Sequence, residues 1–339
     1  MYVLKEKPED FVVEEVLALK LQEQGRYAVF QMHKRYWDSE AVAWELSKRL
    51  RLPRRQLGLT GNKDRHALTT QHLSIPARYK TALDHVRLRD VTLTFRGCLD
   101  DPITIGAHEG NRFRIIVRNL TQRPAGEGLA VIPNYFDEQR FGAHNAEVGK
   151  ALAQGEFSRA CALCDELKVK LHLDRAKNDY IGALRQLPHK TLLLMLHAYQ
   201  SLLFNQCLSE HLTVRYPDAP AATYRHGEMR FPATVTKRDL ALKLPLIGFE
   251  YEPGKSGVDK LCQRVLTAEG ITPRDFIIRS VPYLSAPGGT RTAFAVVKEF
   301  VMGALVSDEL NPGKRSMELR FFLPKGSFAT VAVRALFAR

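Results

Sequence analysis

The sequence predicts an α/β protein of the α+β type, in which strand-rich ends enclose a mostly helical middle. The first 120 or so of the 339 residues show alternating strand and helix patterns, and strand patterns return after residue 292. Between these ends, helical spacing of apolar residues dominates from about residue 145 to 210. Because single domains commonly have roughly 100–200 residues, the chain is long enough for two. This order indicates one domain interrupted by an insertion.

The first part of the chain has several segments of strand-forming composition and one segment with helical spacing of apolar residues. The predicted strands cover residues 11–19, 27–32, 71–75, 91–95 and 113–117. A helix is predicted over residues 39–50, because Val42, Leu46 and Leu50 fall on one face. Asp38 or Ser39 can cap its start. In the strand at 113–117 arginines alternate with apolar residues, which places the two kinds on opposite faces.

The remaining elements follow from apolar spacing and from Pro and Gly. The strongest helical segment covers residues 192–212, whereas Pro and Gly between 217 and 253 favour loops or short strands. Strands are predicted at 292–305 and 317–323. A final helix is predicted over residues 327–337, with Ser327 as its cap.

The charge of the chain favours a polyanionic partner. There are 50 Lys and Arg against 37 Asp and Glu, a net charge of +13. The basic residues cluster in two groups: Lys48, Arg49, Arg51, Arg54 and Arg55, and then Arg112, Arg114, Arg118 and Arg123. Nucleic-acid binding is therefore predicted, with phosphate contacts from Arg49, Arg54, Arg55 and the arginines at 112–118. A basic surface that only keeps the protein in solution is the alternative.

Compartment and cofactor signals are few. The N-terminus lacks the apolar core of a signal peptide, and no apolar run approaches the roughly 18 residues of a membrane span. Five cysteines in so long a chain argue for a reducing, cytosolic compartment. Cys161 and Cys164 have metal-like spacing but no second pair, so two core thiols are predicted. Gly288-Gly289 fits no nucleotide-binding fingerprint.

The segment from Gly58 to His66 is the most unusual in the chain. Its glycines flank a turn that presents Asp64 between Lys63 and Arg65. Cationic neighbours would keep this carboxylate ionised, and an ionised carboxylate can act as a nucleophile. An exposed loop with a local ion pair is the alternative.

Several blocks together resemble the TruD family of tRNA pseudouridine synthases. GNKDRHALTTQ, residues 61–71, is similar to the signature G-x-K-D-[KR]-x-A-x-T-x-Q. Four more blocks in the family's order lie at residues 5–15, 110–113, 133–142 and 320–330, and a weaker helical match lies at 201–206. Asp137 stands where the family usually has glycine in P-N-Y-F-G, and we expect little consequence.

The resemblance implies a role for each matched residue. Asp64 would be the nucleophile, and Phe113 would stack on the target uracil. Substrate contacts would come from Phe11, Asn111 and Phe328, and basic groups near the phosphate or carboxylate would be Lys63 and Lys5. From their patterns alone, the three phenylalanines are core residues, Asn111 is a turn residue and Lys5 is a solvated charge.

The resemblance also implies the architecture and the reaction. Residues 1–129 and 295–339 would form a discontinuous catalytic domain on a mixed, largely antiparallel sheet, and residues 130–294 an inserted, mostly helical domain. The substrate would be a uridine in tRNA, at position 13, and no cofactor would be needed. Two routes remain open, in which Asp64 attacks either the ribose C1′ or the uracil C6. A monomer with no membrane partner is expected, and a non-catalytic RNA-binding protein on the same fold is the alternative.

Overall fold

The chain divides into two compact units in a computed structural model that describes residues 2–63, 65–126 and 128–338. The first unit comprises Met1–Ala130 and Val296–Ala329, and the second comprises Val131–Ala295 and Thr330–Arg339. These boundaries lie one residue from those expected at 129/130 and 294/295. The two divisions differ over residues 330–339, whose contacts place them in the second unit.

Strands occupy both ends of the chain and short stretches of its middle. Their bounds are β1 Phe11–Leu17, β2 Tyr27–Arg35, β3 Gly58–Leu59, β4 Leu68–Pro76, β5 Val91–Leu99, β6 His108–Leu120, β7 Val131–Pro133, β8 Ala221–Tyr224, β9 Gly227–Arg230, β10 Lys243–Leu246, β11 Gly289–Thr292, β12 Phe294–Val296, β13 Lys298–Ser307 and β14 Arg315–Pro324. The strand character predicted over 292–305 is confirmed, and it is divided among β11, β12 and β13.

Helices dominate the middle of the chain, as predicted. Their bounds are α1 Ser39–Arg49, α2 Lys80–Asp84, α3 Asn145–Ala153, α4 Phe157–Leu163, α5 Leu167–Arg175, α6 Tyr180–Leu184, α7 His189–Arg215, α8 Lys237–Leu240, α9 Gly257–Glu269 and α10 Ala329–Ala338. The Asp38 carboxylate caps α1 by accepting from two backbone N–H groups of its first turn. Ser327 does not cap α10, because its buried hydroxyl has no partner among the described residues. No helix of the described chain is both long and apolar enough to cross a membrane.

The first unit is built on a mixed, largely antiparallel sheet, as predicted. Within the described residues eight strands form it, in the order β13-β14-β6-β1-β4-β2-β5, with β3 paired to β4. Strand β1 is central: it runs parallel to β4 and antiparallel to β6. The other adjacent strands of the sheet are paired antiparallel. The parallel pair brings the N-terminal strand beside the strand that follows the unusual loop.

Helix α1 covers the part of the sheet formed by β2 and β4. Val42 and Leu46, one helical turn apart, are fully buried in one cluster with Phe30, Met32 and Leu73. This is the face that the apolar spacing predicted. Burial of such large side chains contributes about 1.5–3 kcal/mol each, so the start of α1 is fixed against the sheet.

The second unit is organised around the long helix α7. Helix α3 crosses α7 at Gly149, where an added Cβ would lie 2.1 Å from the carbonyl oxygen of Met195. Only glycine permits so close a backbone approach. Short antiparallel pairs, β8 with β9 and β10 with β11, also belong to this unit.

Candidate active site

The loop between β3 and β4 is anchored to the start of α1 and to β4. Gln71 on β4 donates from Nε2 to the carbonyl oxygen of Gly61, at 3.3 Å. The Ser39 hydroxyl donates to Gln71 Oε1 at 2.6 Å and accepts from the backbone N–H of Lys63 at 3.0 Å. Asp64 lies outside the described residues. Gly61 and Lys63, which precede it in the loop, are therefore held through buried groups of α1 and β4.

Two more contacts tie the loop to the segment before α1. The Asn62 amide donates to Oδ2 of Asp38, the capping residue of α1, at 3.0 Å. The Arg65 guanidinium donates from Nε to the carbonyl oxygen of Tyr36 at 3.2 Å. Asn62 and Arg65 are thus both bound to residues just before α1.

A buried carboxylate binds the Lys63 side chain. The ammonium group of Lys63 lies 3.0 Å from Oε2 of Glu15, and the two side chains are 9% and 0% exposed. The Thr60 hydroxyl donates to the same oxygen, and both the backbone N–H and Nδ1 of His72 lie 3.2 Å from Oε1. Burial alone would raise the pKa of Glu15, but these contacts outweigh it and lower the pKa to about 2. Glu15 is therefore ionised at neutral pH.

Two residues that sequence reasoning did not single out belong to this network. Lys34, on β2, is buried and donates to the carbonyl oxygens of Trp37 at 2.7 Å and Lys63 at 3.3 Å. Glu15 shares with Phe11 and Val13 the alternating buried positions of β1. A carboxylate at a buried strand position needs a buried partner. The alternating pattern of β1 could therefore have identified Glu15 from the sequence.

Among the predicted substrate residues, Phe11 contacts both Phe113 and Lys5. Phe11 meets Phe113 edge to face with ring centres 6.1 Å apart, and the Lys5 ammonium lies 4.3 Å from the centre of the Phe11 ring. Phe113 also packs on Phe321 of β14, at 5.5 Å between ring centres. Phe11 and Phe113 are 3% and 8% exposed, as core phenylalanines would be. Their part in substrate binding stays a prediction.

Asn111 and Phe328 also lie in the first unit. Asn111 of β6 is directly opposite Glu15 of β1 in the strand register, and it is buried. Its Oδ1 accepts no hydrogen bond from the described residues. An unpaired buried acceptor costs free energy that a ligand N–H can recover. Phe328 is partly exposed and lies just before α10.

His108, at the start of β6, is a second buried group with an unpaired atom. Its Nδ1 has no partner among the described residues. Burial, and then the nearby charge of Lys63, lower its pKa, which keeps the imidazole neutral at pH 7. Neither composition nor motif pointed to this residue.

The arginines of β6 differ in their surroundings. Arg112 and Arg114 form ion pairs with Glu299 and Glu318, at 2.8 and 3.3 Å, and are partly exposed. The predicted phosphate contact of Arg118 is wrong, because its side chain is only 2% exposed.

Arg118 is held by carboxylates inside the first unit. It donates to Asp10 at 2.7 and 2.8 Å and to Asp308 at 2.8 Å. The register between β14 and β6 shifts beside it, and Asn119 has a φ of 59°. This irregularity breaks the two-residue alternation on which the prediction depended.

The two cysteines are core residues, as predicted, and Asp137 has an ordinary backbone conformation. Cys161 and Cys164 are buried, and burial raises the pKa of Cys161 to about 11. The described residues contain no group of three or more His, Cys, Asp or Glu suited to a metal ion. Asp137 has a φ of −82°, an ordinary value, so a glycine is not required there.

Comparison with known proteins gives a consistent result. The family profile described as tRNA pseudouridine synthase D (TruD) matches residues 2–166 and 162–336. The tRNA pseudouridine synthase D of Aquifex aeolicus is 30% identical, with 98% of this chain and 97% of the relative covered. The probable tRNA pseudouridine synthase D of Thermococcus gammatolerans is 31% identical, over 98% and 94% of the two chains.

A solved structure agrees with these sequence matches. The crystal structure of a TruD protein from Methanosarcina mazei superposes with a TM-score of 0.71, at 26% identity, over 98% of this chain and 93% of that one. Both the family profile and the relatives thus extend over nearly the whole sequence. The chain belongs to the tRNA pseudouridine synthase D (TruD) family.

Proposed function

We propose that this protein converts a uridine of tRNA, at position 13, to pseudouridine, with Asp64 as the nucleophile. One observation carries the proposal beyond family membership. The residue before Asp64, Lys63, is bound through its ammonium group to buried Glu15 and through its backbone N–H to Ser39. A nucleophile must be held close to its target, and an anchored loop meets that need.

The proposed reaction is an isomerisation. The bond between uracil N1 and ribose C1′ breaks, the base turns, and a bond forms between C5 and C1′. The proton on C5 leaves and N1 gains one, so nothing is oxidised, reduced or consumed. We therefore propose no cofactor. Attack by Asp64 at C1′ and attack at C6 both require an ionised carboxylate.

The electrostatics of the loop support an ionised acid. The Lys34 ammonium lies 3.3 Å from the Lys63 carbonyl oxygen, and Arg65 adds a second cation directly after Asp64. The ammonium of Lys63 is already paired with Glu15, so we assign it to holding the loop. Nearby cations stabilise a carboxylate in its charged form.

The proposed substrate contacts require the target base to leave the RNA stack. Extrusion of a base costs a few kcal/mol, and stacking on an aromatic ring is worth roughly 1–3 kcal/mol. Phe113 would supply the stacking face, with Phe11, Phe328 and Lys5 around it. The Oδ1 of Asn111, which has no partner within the described part of the chain, suits the N3–H of uracil.

The finer assignments are part of the same proposal. We assign the reaction to the first unit, because every proposed site residue falls within its bounds. The second unit would contribute RNA binding. We propose a cytoplasmic monomer that acts on tRNA without a membrane or a small-molecule partner.

Pseudouridine mapping by carbodiimide labelling tests the proposal. Purified wild-type protein and the variant Asp64→Asn are each incubated with tRNA. We expect a new pseudouridine at position 13 with the wild type alone, while both proteins bind tRNA equally. Turnover by Asp64→Asn would refute the nucleophile assignment. Tight binding without pseudouridine in any tRNA would favour the non-catalytic alternative.

A further inference from the structure

Two arginines of the second unit contact the same aromatic ring. The Cζ atom of Arg291 lies 4.1 Å from the centre of the Phe136 ring, and that of Arg140 lies 5.8 Å from it. Both arginines and the ring are partly buried. Cations at these distances are attracted to the face of an aromatic ring. This places two guanidinium groups close together, although they repel each other.

Two sequence blocks that the proposed reaction does not use build this cluster. The block at 133–142 contains Phe136 and Arg140, and the block at 201–206 lies on α7. The Phe136 backbone exchanges two hydrogen bonds of 2.8 Å with the Asn205 side chain. Arg140 donates from Nε to the Ser201 hydroxyl at 3.2 Å. The two blocks are therefore structural partners.

Arg291 is fixed by neutral acceptors in the same block. It donates from Nε to the Asn134 carbonyl oxygen at 3.0 Å and from Nη2 to Asn134 Oδ1 at 2.7 Å. Asn134 is itself 5% exposed and bound to Thr292. The guanidinium is thereby held rigidly, and a preorganised donor loses little entropy when it binds.

Arg140 is a partly buried cation with no anionic partner among the described residues. Among the described residues it forms no ion pair, and neither of its Nη nitrogens donates a hydrogen bond. Burial lowers its pKa. Burial, and then repulsion from Arg140, lower the pKa of Arg291 to about 10. The protein therefore maintains these two charges at a cost.

Arg118 shows how the same chain neutralises a buried arginine that has a structural role. Its hydrogen bonds to Asp10 raise its pKa despite the effect of burial, and Asp308 and Glu309 complete the pairing. The guanidinium of Arg140 has instead one neutral hydroxyl. The contrast leaves the Arg140 guanidinium available to an anion from outside the chain.

We propose that Arg140 and Arg291 form an anion-binding site that takes a backbone phosphate of RNA. A guanidinium fork matches phosphate oxygens in geometry and charge, and the unused Nη groups of Arg140 are the donors. Because both guanidinium groups lie near the same Phe136 ring, the charges of both are available to one anion. That the RNA is tRNA rests on the proposed function.

The test compares Arg140→Gln with Arg159→Gln, which removes the same charge from an exposed ion pair with Glu156. Binding of fluorescent tRNA is measured at several salt concentrations. For Arg140→Gln we expect roughly tenfold weaker binding. The slope of log affinity against log salt concentration should fall by the contribution of about one phosphate contact. The control should match the wild type. Thermal unfolding of Arg140→Gln should be unchanged or shifted upward, because an uncompensated charge is removed.

Different outcomes separate this site from the proposed reaction. Unchanged affinity and salt dependence in Arg140→Gln would overturn the phosphate site, whatever the activity. A large drop in the unfolding temperature would also overturn it, since it would indicate a structural role. Weaker binding by Arg140→Gln, in a protein that makes no pseudouridine, would support the site while refuting the reaction.

Discussion

The ammonium group of Lys63 lies 3.0 Å from Oε2 of Glu15, and less than a tenth of either side chain is exposed. Glu15 lies on β1, the central strand of the sheet, whereas Lys63 directly precedes Asp64 in the loop before β4. The contact therefore joins the candidate catalytic loop to the most constrained strand of the first unit. Its loss should affect stability and activity together.

Replacement of Glu15 by glutamine should destabilise the first unit. The change keeps the shape but leaves the Lys63 ammonium buried without a counter-charge, which costs about 3–5 kcal/mol. Urea unfolding at pH 7 measures the loss. Glu14→Gln is the matched control, because Glu14 is exposed on the same strand. Its effect should stay within about 0.5 kcal/mol. Equal effects of the two changes would contradict the buried pair.

The pH dependence of stability should report the same carboxylate. Hydrogen bonds and the Lys63 charge lower the pKa of Glu15 from 4.5 to about 2, against the effect of burial. A lowered pKa in the folded state stabilises the protein above pH 4.5, and the stabilisation is lost as the pH falls from 4.5 to 2. The difference corresponds to about 3 kcal/mol. Unfolding free energies of wild type and Glu15→Gln should converge over this range, and a constant gap would be inconsistent with it.

The Ser39 hydroxyl should matter more for turnover than for tRNA binding. Ser39→Ala leaves the Lys63 N–H and Gln71 Oε1 without their partner, at a cost of about 1–3 kcal/mol. The loop before Asp64 then loses one anchor, so kcat should fall while tRNA affinity is retained. Thr69→Val is the control, since the buried Thr69 hydroxyl has no partner among the described residues. A similar loss of kcat in both variants would argue against a specific role of Ser39.

The carboxylates around Arg118 should be structural. Asp308→Asn removes one of the two buried acids that bind the guanidinium, so the unfolding free energy should fall by a few kcal/mol. The salt dependence of tRNA binding should stay as in the wild type, because Arg118 is not accessible to phosphate. A reduced salt dependence in a folded Asp308→Asn protein would restore Arg118 as an RNA contact.

Local sequence signals predicted the elements whose stability is local. Helix α1 was predicted because its cap, Asp38, and its apolar face, Val42 and Leu46, are both encoded within a few turns. The position of Arg118 could not be predicted in the same way. It depends on a register shift between β14 and β6, strands separated by almost 200 residues, and alternation within one strand does not contain that information.

The same limit applies to the candidate site. The motif identified Lys63, but the partner of its ammonium group, Glu15, lies 48 positions earlier and meets it only through the parallel pairing of β1 and β4. The proposed anion site of Arg140 and Arg291 could not be predicted for the same reason. Arg291 contacts the 133–142 block from β11, which is distant in the sequence. Pairings of this kind depend on the folded sheet and bundle, so they appear only with the structure.

The aromatic ring at Phe113 provides the most direct test of substrate stacking. Phe113→Leu keeps an apolar side chain in the cluster with Phe11 and Phe321 but removes the stacking face, so turnover should fall severely. Phe113→Tyr keeps the aromatic ring, so its effect on turnover should be small. Phe321→Leu is the matched control, because it removes a neighbouring buried ring for which we propose no substrate contact. Single-turnover rates on tRNA, with unfolding temperatures measured in parallel, separate chemistry from packing. If Phe113→Leu and Phe321→Leu lose equal rate and equal stability, Phe113 is a core residue and another side chain stacks on the uracil.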